Sequence, residues 1–264
     1  MPTATVNGID INYSLDGDGP RTIVLVNGLA DDLTTWQLQM PDLLAAGYQV
    51  LRYDNRGVGL SSAPPGPYTS RLLADDAKAL VDNLGLTAFH LMGVSMGGMI
   101  AQEYALAYPD DLVTATFACT YAAPGPFCSR MFSMWHDMAP VNGVPFIMRD
   151  VFLWAFTVPF FEDHPEDAAD FEAEMAAMTM STDAYLAQLE VIRTHDTTDR
   201  LGTLSVSTLV LAGEEDILIP VRLSRQLHAL VPGAEWATTT GGHACMWEHP
   251  AAFNKTYLDY LSRH

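Results

Sequence analysis

The chain has 264 residues, of which 49% are hydrophobic and 17% charged, so it can bury a sizeable core and is excluded from the mainly disordered class. Thirteen Lys and Arg stand against 32 Asp and Glu, a net charge of −19. Such a surface repels phosphate backbones and anionic lipid, so neither nucleic acid nor membrane is expected as a partner.

The chain opens Met-Pro-Thr-Ala-Thr, with no basic start and no apolar run, so no secretory signal is read there. In chain order, strands are predicted at Ile9 to Leu15, Thr22 to Val26, Gln49 to Tyr53, Phe89 to Gly93, Val113 to Ala118, Thr208 to Ala212 and Glu235 to Thr239. Helical patterns fall between them at Thr35 to Ala45, Ser70 to Leu84, Met96 to Tyr108, Val221 to Leu230 and Pro250 to Leu261. The alternation predicts an α/β protein with a mostly parallel, doubly wound sheet. Thr22 to Val26 and Leu209 to Ala212 are apolar at almost every position, as central parallel strands must be. From residue 121 to residue 200 the alternation stops and the chain turns rich in Met, Phe, Trp and Ala at helical spacing. This segment is read as a helical cap inserted into a core domain made of residues 1–120 and 201–264. Its most apolar stretch, Val151 to Phe161, is about half a membrane span and contains Pro159. Cys119, Cys128 and Cys245 show no metal-ligand spacing. They are read as reduced thiols, with a cytoplasmic location and no metal site.

Gly93-Val94-Ser95-Met96-Gly97 follows a predicted strand and opens a predicted helix. A G-x-S-x-G string in that setting is the pattern of a nucleophile elbow, where flanking glycines let neighbouring backbone close on a strained turn and the serine projects above the strand ends. A serine hydroxyl needs a base and an acid to orient it, and the chain order Ser, acid, His supplies both. Asp216 lies in the loop after the strand Leu209 to Ala212 and is preferred to Glu214 and Glu215, which read as solvated loop charge. His243 lies in the Gly-rich loop after the last strand. Of the other histidines, His90 falls inside a strand, His136 and His164 fall in the insertion, and His195, His228, His249 and His264 read as exposed. His249 is the runner-up. The loop Val26-Asn27-Gly28-Leu29-Ala30 occupies the place of an oxyanion loop, so the backbone N–H groups of Leu29 and Met96 are assigned as the hole.

These segments, together with Trp36, Leu51 to Ser61 and Pro64 to Tyr68, resemble the α/β-hydrolase superfamily, and within it 3-oxoadipate enol-lactonases and related esterases. The resemblance implies the same fold, a Ser-His-Asp triad and hydrolysis without a cofactor. It departs at Asn27 and Val58, where many relatives carry His.

The insertion supplies the substrate inference. Met131, Phe132, Trp135 and Trp154, with Asn27 from the oxyanion loop, are the candidate substrate contacts. A lining so rich in aromatic and thioether side chains favours a neutral, largely apolar ester or lactone, cleaved through an acyl-enzyme. A dicarboxylate would need one of Arg130, Arg149, Arg193 or Arg200 to face the cleft. The enol-lactone of 3-oxoadipate, a C–C bond substrate and a small-molecule sensor on the same fold stay as alternatives, and a homo-oligomer is left open.

Overall fold

The computed structural model describes residues 1–264. The sheet has eight strands: β1 (Thr3–Val6), β2 (Ile9–Asp16), β3 (Arg21–Val26), β4 (Tyr48–Tyr53), β5 (Phe89–Val94), β6 (Leu112–Ala118), β7 (Ser207–Gly213) and β8 (Glu235–Thr239). Their order is β1-β2-β4-β3-β5-β6-β7-β8, with β1 and β2 antiparallel and every pair from β4 onward parallel. Period-two alternation sends successive residues of each strand to opposite faces. Val24, Val26, Leu91, Phe117 and Val210 therefore enter one apolar core, while Ile23, Leu25, Met92, Ala118, Leu209 and Leu211 enter the other.

The structure adds one strand to the predicted elements and divides one predicted helix. β1 was not expected, although Asn7-Gly8 joins it to β2 with both residues at positive φ, 47° and 77°. That dipeptide suits a two-residue hairpin because Asn and Gly tolerate the left-handed region. The helix expected over Thr35 to Ala45 is two pieces, a 3₁₀ turn at Leu33–Trp36 and α1 at Met40–Ala45. Pro41 lacks the N–H that an interior helical position needs, so the helix restarts with the proline in its first turn.

The remaining core helices are α2 (Ser70–Asn83), α3 (Met96–Ala107), α9 (Val221–Leu230), the short α10 (Cys245–Glu248) and α11 (Pro250–Leu261). Between β6 and β7 run α4 (Pro126–Asn142), α5 (Val144–Ala155), α6 (Val158–Asp163), α7 (Pro165–Ala176) and α8 (Thr182–Thr194). These helices pack on one another and, through α8, on α3. No helix is long and apolar enough to cross a membrane.

His195, expected at the surface, is buried just past α8. Its Nδ1 lies 2.9 Å from Ser70 Oγ and its Nε2 lies 3.3 Å from Gln102 Oε1, so the ring ties the end of α8 to α2 and α3. Burial above all, with the Arg200 charge adding to it, pushes the ring down to about 3. A histidine in a polar stretch looked solvated because its partners lie far away in sequence.

The most enclosed ion pair joins the chain after β4 to α2. Arg56 Nε and one terminal nitrogen reach the two oxygens of Asp76 at 2.5 and 2.6 Å, both residues being buried, and Asn7 Nδ2 donates to the same carboxylate at 2.6 Å. Removing one partner leaves an uncompensated buried charge. Asp76→Ala is therefore expected to lower unfolding free energy by about 3–5 kcal/mol, measured as a lower urea midpoint with an unchanged slope. A loss within about 0.5 kcal/mol, the range typical of surface positions, would contradict it.

Candidate active site

β5 ends where the chain must turn sharply into α3, and Ser95 sits on that turn with φ 56° and ψ −120°. A non-glycine residue at such φ is strained and is held only by its surroundings. Ser95 N–H donates to Ala118 O at 2.9 Å, fixing the turn to the end of β6. The flanking glycines are obligatory: a Cβ on Gly93 would lie 2.0 Å from Gly97 O, and one on Gly97 would lie 2.0 Å from Val26 O. The serine side chain makes no capping bond to α3, which leaves its hydroxyl half-buried at the helix N-terminus.

Asp216 and His243 reach the same place from the ends of β7 and β8. Asp216 is buried; its Oδ1 accepts the Ile219 N–H at 2.8 Å and its Oδ2 lies 2.8 Å from His243 Nδ1. A carboxylate only accepts, so the His243 proton sits on Nδ1 and Nε2 is left free. Burial works to lower the affinity of the ring for a second proton. The charge and hydrogen bond of Asp216 outweigh it, helped by Cys119 and Asp31, and hold His243 at about 9. Glu214 and Glu215 are exposed.

The loop carrying His243 is fixed to the inserted helices. Ala244 N–H donates to Ala155 O at 2.9 Å, and a Cβ on Gly242 would lie 2.6 Å from that same oxygen. Glu248 accepts from Gly242 N–H at 2.7 Å with one oxygen and from Thr157 N–H and Oγ1–H at 3.1 and 2.5 Å with the other. Nothing in the sequence pointed to Glu248, because the helix start it ties to this loop, Thr157, lies 91 residues away from it.

Ser95, His243 and Leu29 line one cavity of about 70 Å³, in which 17 of 20 lining residues are hydrophobic. The polar ones are Ser95, His243 and Asp31. Leu29 N–H has no acceptor in the protein, and Met96 N–H belongs to the first turn of α3, where intrahelical partners are lacking.

Of the expected substrate contacts, Phe132 and Trp135 line the cavity. Asn27, Met131 and Trp154 do not. Asn27 is buried inside the loop, donating from Nδ2 to Tyr53 O at 2.8 Å and accepting from Trp36 Nε1 at 2.7 Å, so it shapes the loop and does not reach the cavity. Met131 belongs to the helix core, and Trp154 packs edge-on against Phe127. No arginine reaches the cavity: Arg149 pairs with Glu172, Arg193 with Glu190 and Arg200 with Glu103, while Arg130 donates to Pro126 O.

One group of metal-ligating atoms converges, from Cys119, Asp216 and His243, within 4.8 Å of one another. Both Asp216 oxygens already accept hydrogen bonds and the Cys119 thiol contacts Cys245 Sγ at 3.7 Å. The donor set suits a hydrogen-bonded pair better than a cation.

The alpha/beta hydrolase fold model matches residues 21–250. The chain belongs to the alpha/beta hydrolase fold family. It is 31% identical over 254 residues to RutD of Pseudomonas syringae, a provisionally named carbamate hydrolase, covering 93% of this chain and 95% of that one. It is 28% identical to 3-oxoadipate enol-lactonase 2 of Acinetobacter baylyi, with 99% and 96% covered. The enol-lactonase from Burkholderia xenovorans LB400 superposes with a TM-score of 0.91 at 29% identity, covering 99% of this chain and all of the other (100%).

The site geometry predicts a titration. In NMR, the His243 ring should gain its proton near pH 9, and in Asp216→Asn its pKa should fall below about 6.5, because burial then acts with little opposition. An unchanged midpoint would mean that Asp216 does not hold the ring. The sign for stability follows: a pKa raised above the unfolded value contributes stability that is complete below about pH 6.5 and is lost as pH rises through 9.

Proposed function

We propose that the protein is a serine hydrolase that cleaves neutral, largely apolar carboxylic esters or lactones through an acyl-enzyme. The observation that carries this reading is the meeting of a left-handed serine turn and an Asp-oriented histidine at one almost wholly apolar cavity. His243 Nε2 takes the Ser95 proton as Oγ attacks the carbonyl carbon, and Asp216 stabilises the imidazolium. The Leu29 and Met96 N–H groups receive the oxyanion, with the α3 N-terminus adding its dipole. The imidazolium then protonates the leaving alcohol, water activated by His243 attacks the acyl-enzyme, and the acid departs.

The inserted helices act as the cap over this chemistry. At about 10–15 Å³ per water, a 70 Å³ space suits a short acyl chain. Each buried methylene adds about 0.8 kcal/mol of transfer free energy that can be realised in the transition state. The names of the relatives, a carbamate hydrolase and enol-lactonases, belong to the same kind of acyl transfer. The absence of arginine from the lining weighs against an anionic lactone.

Kinetics on p-nitrophenyl esters test this. Ser95→Ala and Asp216→Asn should lower kcat by roughly 10⁴-fold or more, while Glu214→Gln and Glu215→Gln remain near the parent. kcat/KM should rise with pH toward a plateau above about 9, as His243 loses its second proton, and should rise then fall along a short acyl series. Equal losses at all three acidic positions, or turnover surviving Ser95→Ala, would contradict the assignment.

A further inference from the structure

We propose that Asp31 is a specificity-determining residue of this site, whose carboxyl in the cavity wall turns away ester or lactone substrates that carry a carboxylate and admits neutral ones. The inference rests on the hydrolase reading above and adds the substrate charge.

Three polar side chains line the cavity, and the proposed chemistry uses two of them, Ser95 and His243. Asp31 is the third. Its position is defined by Gly28, the residue before Leu29: a Cβ placed there would lie 2.6 Å from Asp31 Oδ2 and 3.5 Å from Ser95 Cβ. The carboxyl and the serine thus flank one glycine of the oxyanion loop, and a glycine is what lets the carboxyl come so close. No Lys or Arg lines the cavity to neutralise it.

The charged groups around Asp31 come from three elements. Asp32 is its chain neighbour, Glu174 of α7 borders the outer cleft that Asp31 and Asp32 also line, and His243 faces it from the loop after β8. Burial first, and Asp32 second, raise the Asp31 carboxyl; His243 and the Gly28 N–H oppose them, and the balance stands at about 7. His243 keeps its proton to about 9. As Asp31 ionises it places a negative charge in a cavity of low polarity, where a second anion is repelled more than at the surface.

The test compares kcat/KM for p-nitrophenyl butyrate and for mono-p-nitrophenyl succinate across about pH 6 to 9. About 0.5 M salt removes most repulsion from the outer surface while screening the half-buried Asp31 less. In the parent protein the preference for the neutral ester should grow on the order of tenfold with pH. In Asp31→Asn, and in the smaller uncharged Asp31→Ser, the preference should become flat. A flat preference in the parent, or an unchanged pH dependence in both variants, overturns the proposal. Binding separates this failure from failure of the reaction: in Ser95→Ala, quenching of Trp135 and Trp247, which line the cavity, reports ethyl butyrate against monoethyl succinate without turnover. A binding preference that vanishes with Asp31→Asn supports the charge gate even if no ester is hydrolysed. Hydrolysis through Ser95 with a preference indifferent to Asp31 defeats the gate and leaves the reaction standing.

Discussion

Ser95 can hold a left-handed conformation because Gly93 and Gly97 let three backbone segments meet, and the whole C-terminal edge of the sheet depends on that meeting. A Cβ on either glycine would sit 2.0 Å from a carbonyl oxygen, a contact that no relaxation of side chains relieves. Strain of this kind costs of order 1–3 kcal/mol and persists only when the surroundings over-determine it. Here they do: the parallel register of β3, β5 and β6 fixes Val26 and Ala118, whose oxygens respectively exclude a side chain at 97 and accept the Ser95 N–H. Two large apolar cores on either side of the sheet supply the burial that offsets the strain.

The inserted helices are joined to that edge by polar contacts of long sequence range. Gln188 of α8 accepts the Ala30 N–H at 2.9 Å and donates to Arg56 O at 2.8 Å, holding the loop that carries Leu29. Glu248 and the Ala155 carbonyl hold the loop that carries His243. The groups that line the cavity and the groups that position Ser95, Asp216 and His243 are thus parts of one packed unit, so movement of these helices would be felt at the histidine.

The sheet was legible because β3, β5 and β7 are apolar on both faces and their neighbours are bounded by Gly, Pro and Asn. What local pattern missed has identifiable causes. Asn7-Gly8 carries a hairpin signal, but the four-residue strand before it is too short to show a period, and Pro41 divides a periodic stretch that otherwise reads as one helix. Ser95, Asp216 and His243 were legible because chain order and strand ends constrain them, and the structure brings all three to one place. Asn27, Met131 and Trp154 were misplaced because composition tells which residues a helical insertion contains and not which way they face. Asp31, Glu248 and Gln188 went unseen since their partners, apart from the nearby Gly28, lie far along the chain.

The central claim is that Ser95 is the nucleophile of an acyl transfer. The most direct measurement is mass spectrometry of the intact and digested protein after reaction with an alkyl fluorophosphonate. One phosphonyl group per chain is expected, carried on Ser95 in the peptide that spans the turn into α3, and none in Ser95→Ala. A label on another residue, or labelling undiminished by that substitution, would contradict it.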